Sequence, residues 1–140
     1  MRLLLVDDEP LNLLALEAFL EPLGHEIVTA RGGREAVAAF ERAPPDLVML
    51  DLMMPEFDGI AVLNHVRAHP TLAATPVILL TAHSDREHRL RGLEAGADEF
   101  LEKPIDCSLL LARTKTLLRL KESRDELAAS RDALRDRNAQ

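Results

Sequence analysis

Short apolar runs, each closed by acids, glycines or prolines, alternate along the chain with stretches of helical periodicity. Arg2-Leu3-Leu4-Leu5-Val6 stops at Asp7-Asp8-Glu9-Pro10, and so short a run between turn signals predicts a strand buried on both faces. Pro10 suits the first turn of a following helix, with acids at its positive end. Leu13, Leu16, Leu20 and Leu23 give that helix its apolar face. The pattern carries it to about Leu23, with Gly24 as C-terminal cap, although Pro22 allows an end a few residues earlier. Ile27-Val28-Thr29-Ala30 predicts a second strand. Gly32-Gly33 opens a helix with Ala36, Val37, Phe40 and Ala43 inward, ended by Pro44-Pro45. Leu47-Val48-Met49-Leu50-Asp51 is the third strand, and a loop through Pro55 and Gly59 leads to a helix burying Ile60, Val62, Leu63 and Val66 before Pro70. Val77-Ile78-Leu79-Leu80-Thr81 is the fourth strand. Ser84-Asp85-Arg86-Glu87 is a capping-box pattern for a helix closing at Ala95-Gly96. Glu99-Phe100-Leu101-Glu102 is the fifth strand, followed by Lys103-Pro104, and Asp106 caps the last helix.

Five strand–helix units with short links and continuous apolar strands predict a three-layer, doubly wound α/β domain with a parallel sheet. In such a sheet all strands end on one edge, where ligands bind. The residues at those ends are Asp7, Asp8, Asp51, Thr81 and Lys103. Each has an ordinary explanation alone: a helix start, a loop acid, a strand end. Together they put three carboxylates, a hydroxyl and an ammonium in one crevice. Carboxylates held together repel and destabilise the fold, and a hard divalent cation such as Mg²⁺ or Mn²⁺ relieves this. Lys103 and Thr81 add donors for an incoming oxyanion, which suits phosphoryl transfer. A carboxylate can itself accept the phosphoryl group as an acyl phosphate.

Composition narrows the field. The formal charge of −7 argues against sequence-independent binding to nucleic acid, and four Phe with no Tyr or Trp leave little for base stacking. The single cysteine, Cys107, excludes a disulfide framework and fits a reducing cytoplasm. Nothing offers Cys107 a catalytic partner. No apolar run approaches the ~20 residues of a membrane span, and the opening run is too short for a signal peptide's ~7–15.

The motifs Val6-Asp7-Asp8-Glu9, Leu50-Asp51-Leu52-Met53-Met54-Pro55 with Asp58-Gly59, Leu80-Thr81-Ala82, Gly96-Ala97-Asp98 and Phe100-Leu101-Glu102-Lys103-Pro104 are similar to those of response-regulator receiver domains of bacterial two-component signalling. The resemblance covers about residues 2–120. It implies a flavodoxin-like sheet of strand order 2-1-3-4-5 and a cytoplasmic switch rather than a turnover enzyme. By position it implies that Asp51 accepts phosphoryl from a sensor histidine kinase or phosphotransfer protein. Asp8, Asp51 and the Met53 carbonyl would ligate Mg²⁺, with Asp7 acting mainly through water. Lys103 would contact the phosphoryl group, and its bond to Pro104 is commonly cis in the family. Thr81 would swing to the phosphoryl oxygen, and Phe100 would turn into the vacated space. Met53 and His83 occupy positions that tune acyl-phosphate lifetime.

Leu117, Leu120, Leu127 and Leu134 recur at heptad-compatible spacing past the end of the receiver pattern, with no Gly or Pro from 105 to 140. A helix of ~30 residues spans ~45 Å. Residues 1–120 are thus expected to form the receiver and 121–140 a helical extension. The intervening core positions are Arg124 and Arg131 in one frame and Ser123 and Ser130 in the other, and both weaken a zipper. The extension reads either as a single solvated helix that frays or, as expected here, as one that pairs in a parallel dimer. The homodimer is expected through this helix, through the face of helix four, strand five and helix five, or through both. In the family such helices lead to an output domain, which these residues do not include. The rival readings are a Mg²⁺-dependent aspartyl phosphatase, a nucleotide or flavin binder, and a receiver-like interaction module without phosphoryl transfer. The first needs an acid where Met53 stands, and the second needs a phosphate-cradling loop where Asp7-Asp8-Glu9 stands.

Overall fold

The computed structural model describes residues 1–52, 59–70, 73–81 and 86–138. Met53, Met54, Pro55, Asp58, His83 and the Ser84-Asp85 cap lie outside them. Five strands alternate with five helices: β1 Arg2–Val6, α1 Pro10–Leu20, β2 Glu26–Ala30, α2 Gly33–Arg42, β3 Leu47–Asp51, α3 Gly59–Ala68, β4 Val77–Thr81, α4 Arg86–Glu94, β5 Glu99–Glu102 and α5 Cys107–Asn138. The strands are parallel, in the order β2-β1-β3-β4-β5, as the resemblance implies.

Every residue of β3 and β4 is buried, and successive side chains feed opposite layers because strand side chains alternate. Leu4, Val6, Val48, Leu50, Val77 and Leu79 face α2 and α3, meeting Phe40, Ile60, Leu63 and Val66. Leu3, Leu5, Leu47, Met49, Ile78 and Leu80 face α1 and α5, meeting Leu13, Leu16, Leu20, Leu110 and Leu118. The chain is therefore a sheet between two helical layers.

Helix ends follow local chemistry. α1 stops at Leu20, and Glu21–Leu23 make one 3₁₀ turn before Gly24 at φ 72°. The periodicity runs to Leu23, but Pro22 has no N–H for the α-helical ladder. β2 begins one residue earlier than its apolar run, at Glu26. Ala43, ahead of Pro44-Pro45, is extended at φ −157°, which ends α2. Asp106 caps α5 through a 3.2 Å bond accepted from the Leu109 N–H. α5 runs 32 residues, about 48 Å at 1.5 Å per residue. Among the described residues no helix is long and apolar enough to cross a membrane.

Candidate functional site

The parallel register brings the strand ends together. Val6 lies beside Leu50 and Asp51 beside Leu80, so Asp7, one residue past β1, comes level with Asp51. Backbone bonds fix the edge: the Asp7 N–H donates to the Ala30 carbonyl at 3.1 Å, Leu52 to Leu80 at 3.1 Å, and Lys103 to Thr81 at 2.8 Å. β2 contributes only this backbone acceptor. The Lys103–Pro104 peptide is cis.

Carboxylate oxygens of Asp7, Asp8 and Asp51 lie within 4.8 Å of one another. Asp7 is fully buried and Asp51 nearly so, whereas Asp8 is half-buried. Asp7 Oδ1 accepts from the Glu9 N–H at 2.9 Å, while Oδ2 has no hydrogen-bond partner among the described residues. Lys103 Nζ stands 3.4 Å from Asp51 Oδ1 and 3.6 Å from Asp7 Oδ2. One ammonium thus faces two carboxylates, leaving an excess of buried negative charge. The Thr81 hydroxyl, at the end of β4 next to β3, is buried and without a hydrogen-bond partner among the described residues. An oxygen-only donor set of three clustered carboxylates answered by one ammonium is suited to a hard divalent cation.

Two features of the surroundings carry no strong sequence signal. Gly59 opens α3 directly beneath β3. A Cβ there would come 2.5 Å from the Asp51 carbonyl oxygen and 2.8 Å from the Leu52 Cα, both backbone atoms. Only glycine lets α3 approach the strand end so closely. The second is Arg89 on α4, whose guanidinium carbon sits 4.4 Å from the centre of the half-buried Phe100 ring and which pairs with Glu102 at 2.5 Å. Phe100 is held at the surface of the sheet by a cation from the neighbouring helix. Cys107 is a half-buried free thiol, away from the acidic cluster in sequence and contact.

The family model described as the response regulator receiver domain matches residues 3–115. The chain belongs to the response regulator receiver domain family. It is 44% identical over 126 residues to the response regulator PleD of Caulobacter vibrioides, covering 90% of this chain and 28% of that protein. It is 38% identical over 128 residues to the alkaline phosphatase synthesis transcriptional regulatory protein PhoP of Bacillus subtilis, covering 91% of this chain and 51% of that one. The crystal structure of the signal receiver domain of a signal transduction histidine kinase from Syntrophus aciditrophicus superposes with a TM-score of 0.79 at 40% identity, covering 84% of this chain and 89% of that one. The chain spans about a quarter to a half of these curated relatives, as those shares show. As a receiver domain it is a signalling domain of two-component response regulators.

Proposed function

We propose that this receiver domain is a phosphorylation-activated switch with Asp51 as acceptor. The observation that supports it best is the clustering of Asp51 with Asp7 and Asp8 within 4.8 Å, with Lys103 at ion-pair distance from Asp51 and Asp7. The ionised Asp51 carboxylate attacks the phosphorus of a phosphohistidine on a sensor kinase or phosphotransfer protein. The new O–P bond forms as the N–P bond breaks, and the imidazole nitrogen leaves with its electron pair and takes up a proton. Asp7, Asp8, Asp51 and the Met53 carbonyl would hold Mg²⁺, or Mn²⁺ in its place; when bound, the ion neutralises charge on the phosphoryl oxygens. Lys103 supplies the second positive charge, and the Thr81 hydroxyl gains the acceptor it lacks.

A phosphoryl group carries about −1.5 to −2 charges at neutral pH. Drawing Thr81 toward it opens room for the Phe100 ring, and a close-packed core passes such a shift on as an alternative packing. The face formed by α4, β5 and α5 then changes what it binds. Residues 1–120 act as the receiver and 121–140 as the extension, which pairs in a parallel homodimer and couples to an output domain. The only chemistry assigned to the domain is its own phosphorylation and dephosphorylation, in the cytoplasm.

The test is incubation with acetyl phosphate, with and without Mg²⁺, followed by intact-mass measurement of the wild type and Asp51→Asn. The wild type should gain one phosphoryl group only when Mg²⁺ is present, and the variant none. Equal labelling of the two proteins, or labelling of neither, defeats the proposal.

A further inference from the structure

α5 commits one of its stripes to the domain. Leu110 and Thr114 are fully buried, and Leu117 packs against the core. The same stripe continues past the domain: Lys121 Nζ pairs with Asp46 at 3.4 Å, and Arg124 Nη1 donates to the Ala74 carbonyl at 3.5 Å. Asp46 also accepts the Arg2 N–H at 2.8 Å, so the root of the extension is tied to the amino-terminal edge of the sheet. Residues 110, 114, 117, 121 and 124 follow the i, i+4, i+7 rule for one helix face.

Leu120, Leu127 and Leu134 form a separate stripe, and all three are exposed, Leu127 at 72%. A zipper built on them needs a second column of residues, either four positions after each leucine or three. The first choice places Arg124 and Arg131 in the seam. Arg124 already lies on the stripe that faces the domain, and paired arginines across a two-fold axis would repel. The second choice places Ser123 and Ser130 there, both exposed, uncharged and turned away from the domain-facing stripe.

Charge agrees. With the leucines at a and the serines at d, Glu126 occupies a g position and Arg131 the next e position. In a parallel pair g meets the following e of the partner helix, so Glu126 faces the partner's Arg131 twice over. An antiparallel pairing would set like charges opposite each other. The parallel dimer proposed above leaves open which of the two columns forms the seam.

Building on that dimer reading, we infer that a second copy of this chain docks in parallel on the α5 seam Leu120-Ser123-Leu127-Ser130-Leu134, with Arg124 and Arg131 outside it. Residues at d face their own counterparts across the axis, which disulfide geometry can report. In a Cys107→Ser background, Ser123→Cys, Ser130→Cys, Arg124→Cys and Arg131→Cys are oxidised mildly at equal concentration, with and without Mg²⁺ and beryllofluoride. The two serine-site variants should form covalent dimer severalfold faster than the arginine-site variants. Faster cross-linking at Arg131→Cys than at Ser130→Cys overturns the seam while leaving the dimer intact. A dimer by light scattering that cross-links at none of the four sites overturns the parallel seam as well. A monomer under every condition removes the dimer reading itself.

Discussion

The buried hydroxyl of Thr81 and the buried Oδ2 of Asp7 both lack a hydrogen-bond partner among the described residues. An unsatisfied buried polar atom costs about 1–3 kcal/mol. Asp7 Oδ2 has the Lys103 ammonium at 3.6 Å to offset this, whereas the Thr81 hydroxyl has no such charge beside it among the described ion pairs. Removing the Thr81 hydroxyl should therefore help the resting fold. Thr81→Val keeps the β-branched shape that suits β4 and is expected to raise the unfolding free energy by about 1 kcal/mol. Urea denaturation of the unphosphorylated protein measures it, and a clear loss of stability would show that the hydroxyl has a partner. The same variant should still accept phosphoryl at Asp51, yet fail to alter the α4–β5–α5 face. These groups were legible in the sequence because each directly ends an apolar run, and parallel pairing then has one way to assemble them. Gly59 was legible only as part of a motif. Its contact with the Asp51 carbonyl depends on the distance between α3 and β3, which no linear pattern encodes.

Among the elements, the strands were the most readable: β3, β4 and β5 occupy the residues that their apolar runs and flanking polar groups mark out. α4 was the least readable. Two of its leucines, Leu90 and Leu93, are exposed, whereas Gly92 makes the close approach, lying where a Cβ would strike the Leu79 side chain. A glycine contact leaves no mark in hydrophobic periodicity, so the helix's inner face was hidden and Arg89 with it. Arg89 lies over the half-buried Phe100 and pairs with Glu102, tying α4 to β5. On the proposed switch, these contacts would favour the unphosphorylated arrangement. Cation–π contacts and partly exposed ion pairs each contribute about 0.5–1 kcal/mol, and part of this is screened by water at Arg89. Arg89→Ala is thus expected to shift the resting-to-switched balance by about 1 kcal/mol, raising beryllofluoride affinity about fivefold in the presence of Mg²⁺. Titration calorimetry reads the constant. An unchanged or weaker affinity would mean that Arg89 does not hold the resting state.

At the scale of the molecule, the acidic cluster and the root of the α5 extension lie at opposite edges of the sheet, separated by five-residue strands, about 17 Å. α5 bridges that distance, starting beside Lys103-Pro104 and leaving past the Lys121–Asp46 pair. On the proposed switch, a change at the carboxyl edge reaches the extension through a helix tied down at the root of that extension. That arrangement favours rotation or tilt of α5 about its root over sliding, and the parallel seam would carry such a motion to both copies. The seam's orientation rests on the Glu126–Arg131 pairing, which reversal of charge tests. In Glu126→Arg, two attractive pairs of about 0.5 kcal/mol each become two repulsions of similar size. The dimer should weaken by about 2 kcal/mol, roughly thirtyfold in its dissociation constant. Adding Arg131→Glu restores opposite charges across the seam and should recover most of the loss. Sedimentation equilibrium at low salt reads both constants, and the contrast should shrink near 1 M salt, where the screening length falls to about 3 Å. If the double variant associates no better than Glu126→Arg alone, the two residues do not meet. The helices then pair in another register or orientation, whatever holds them together.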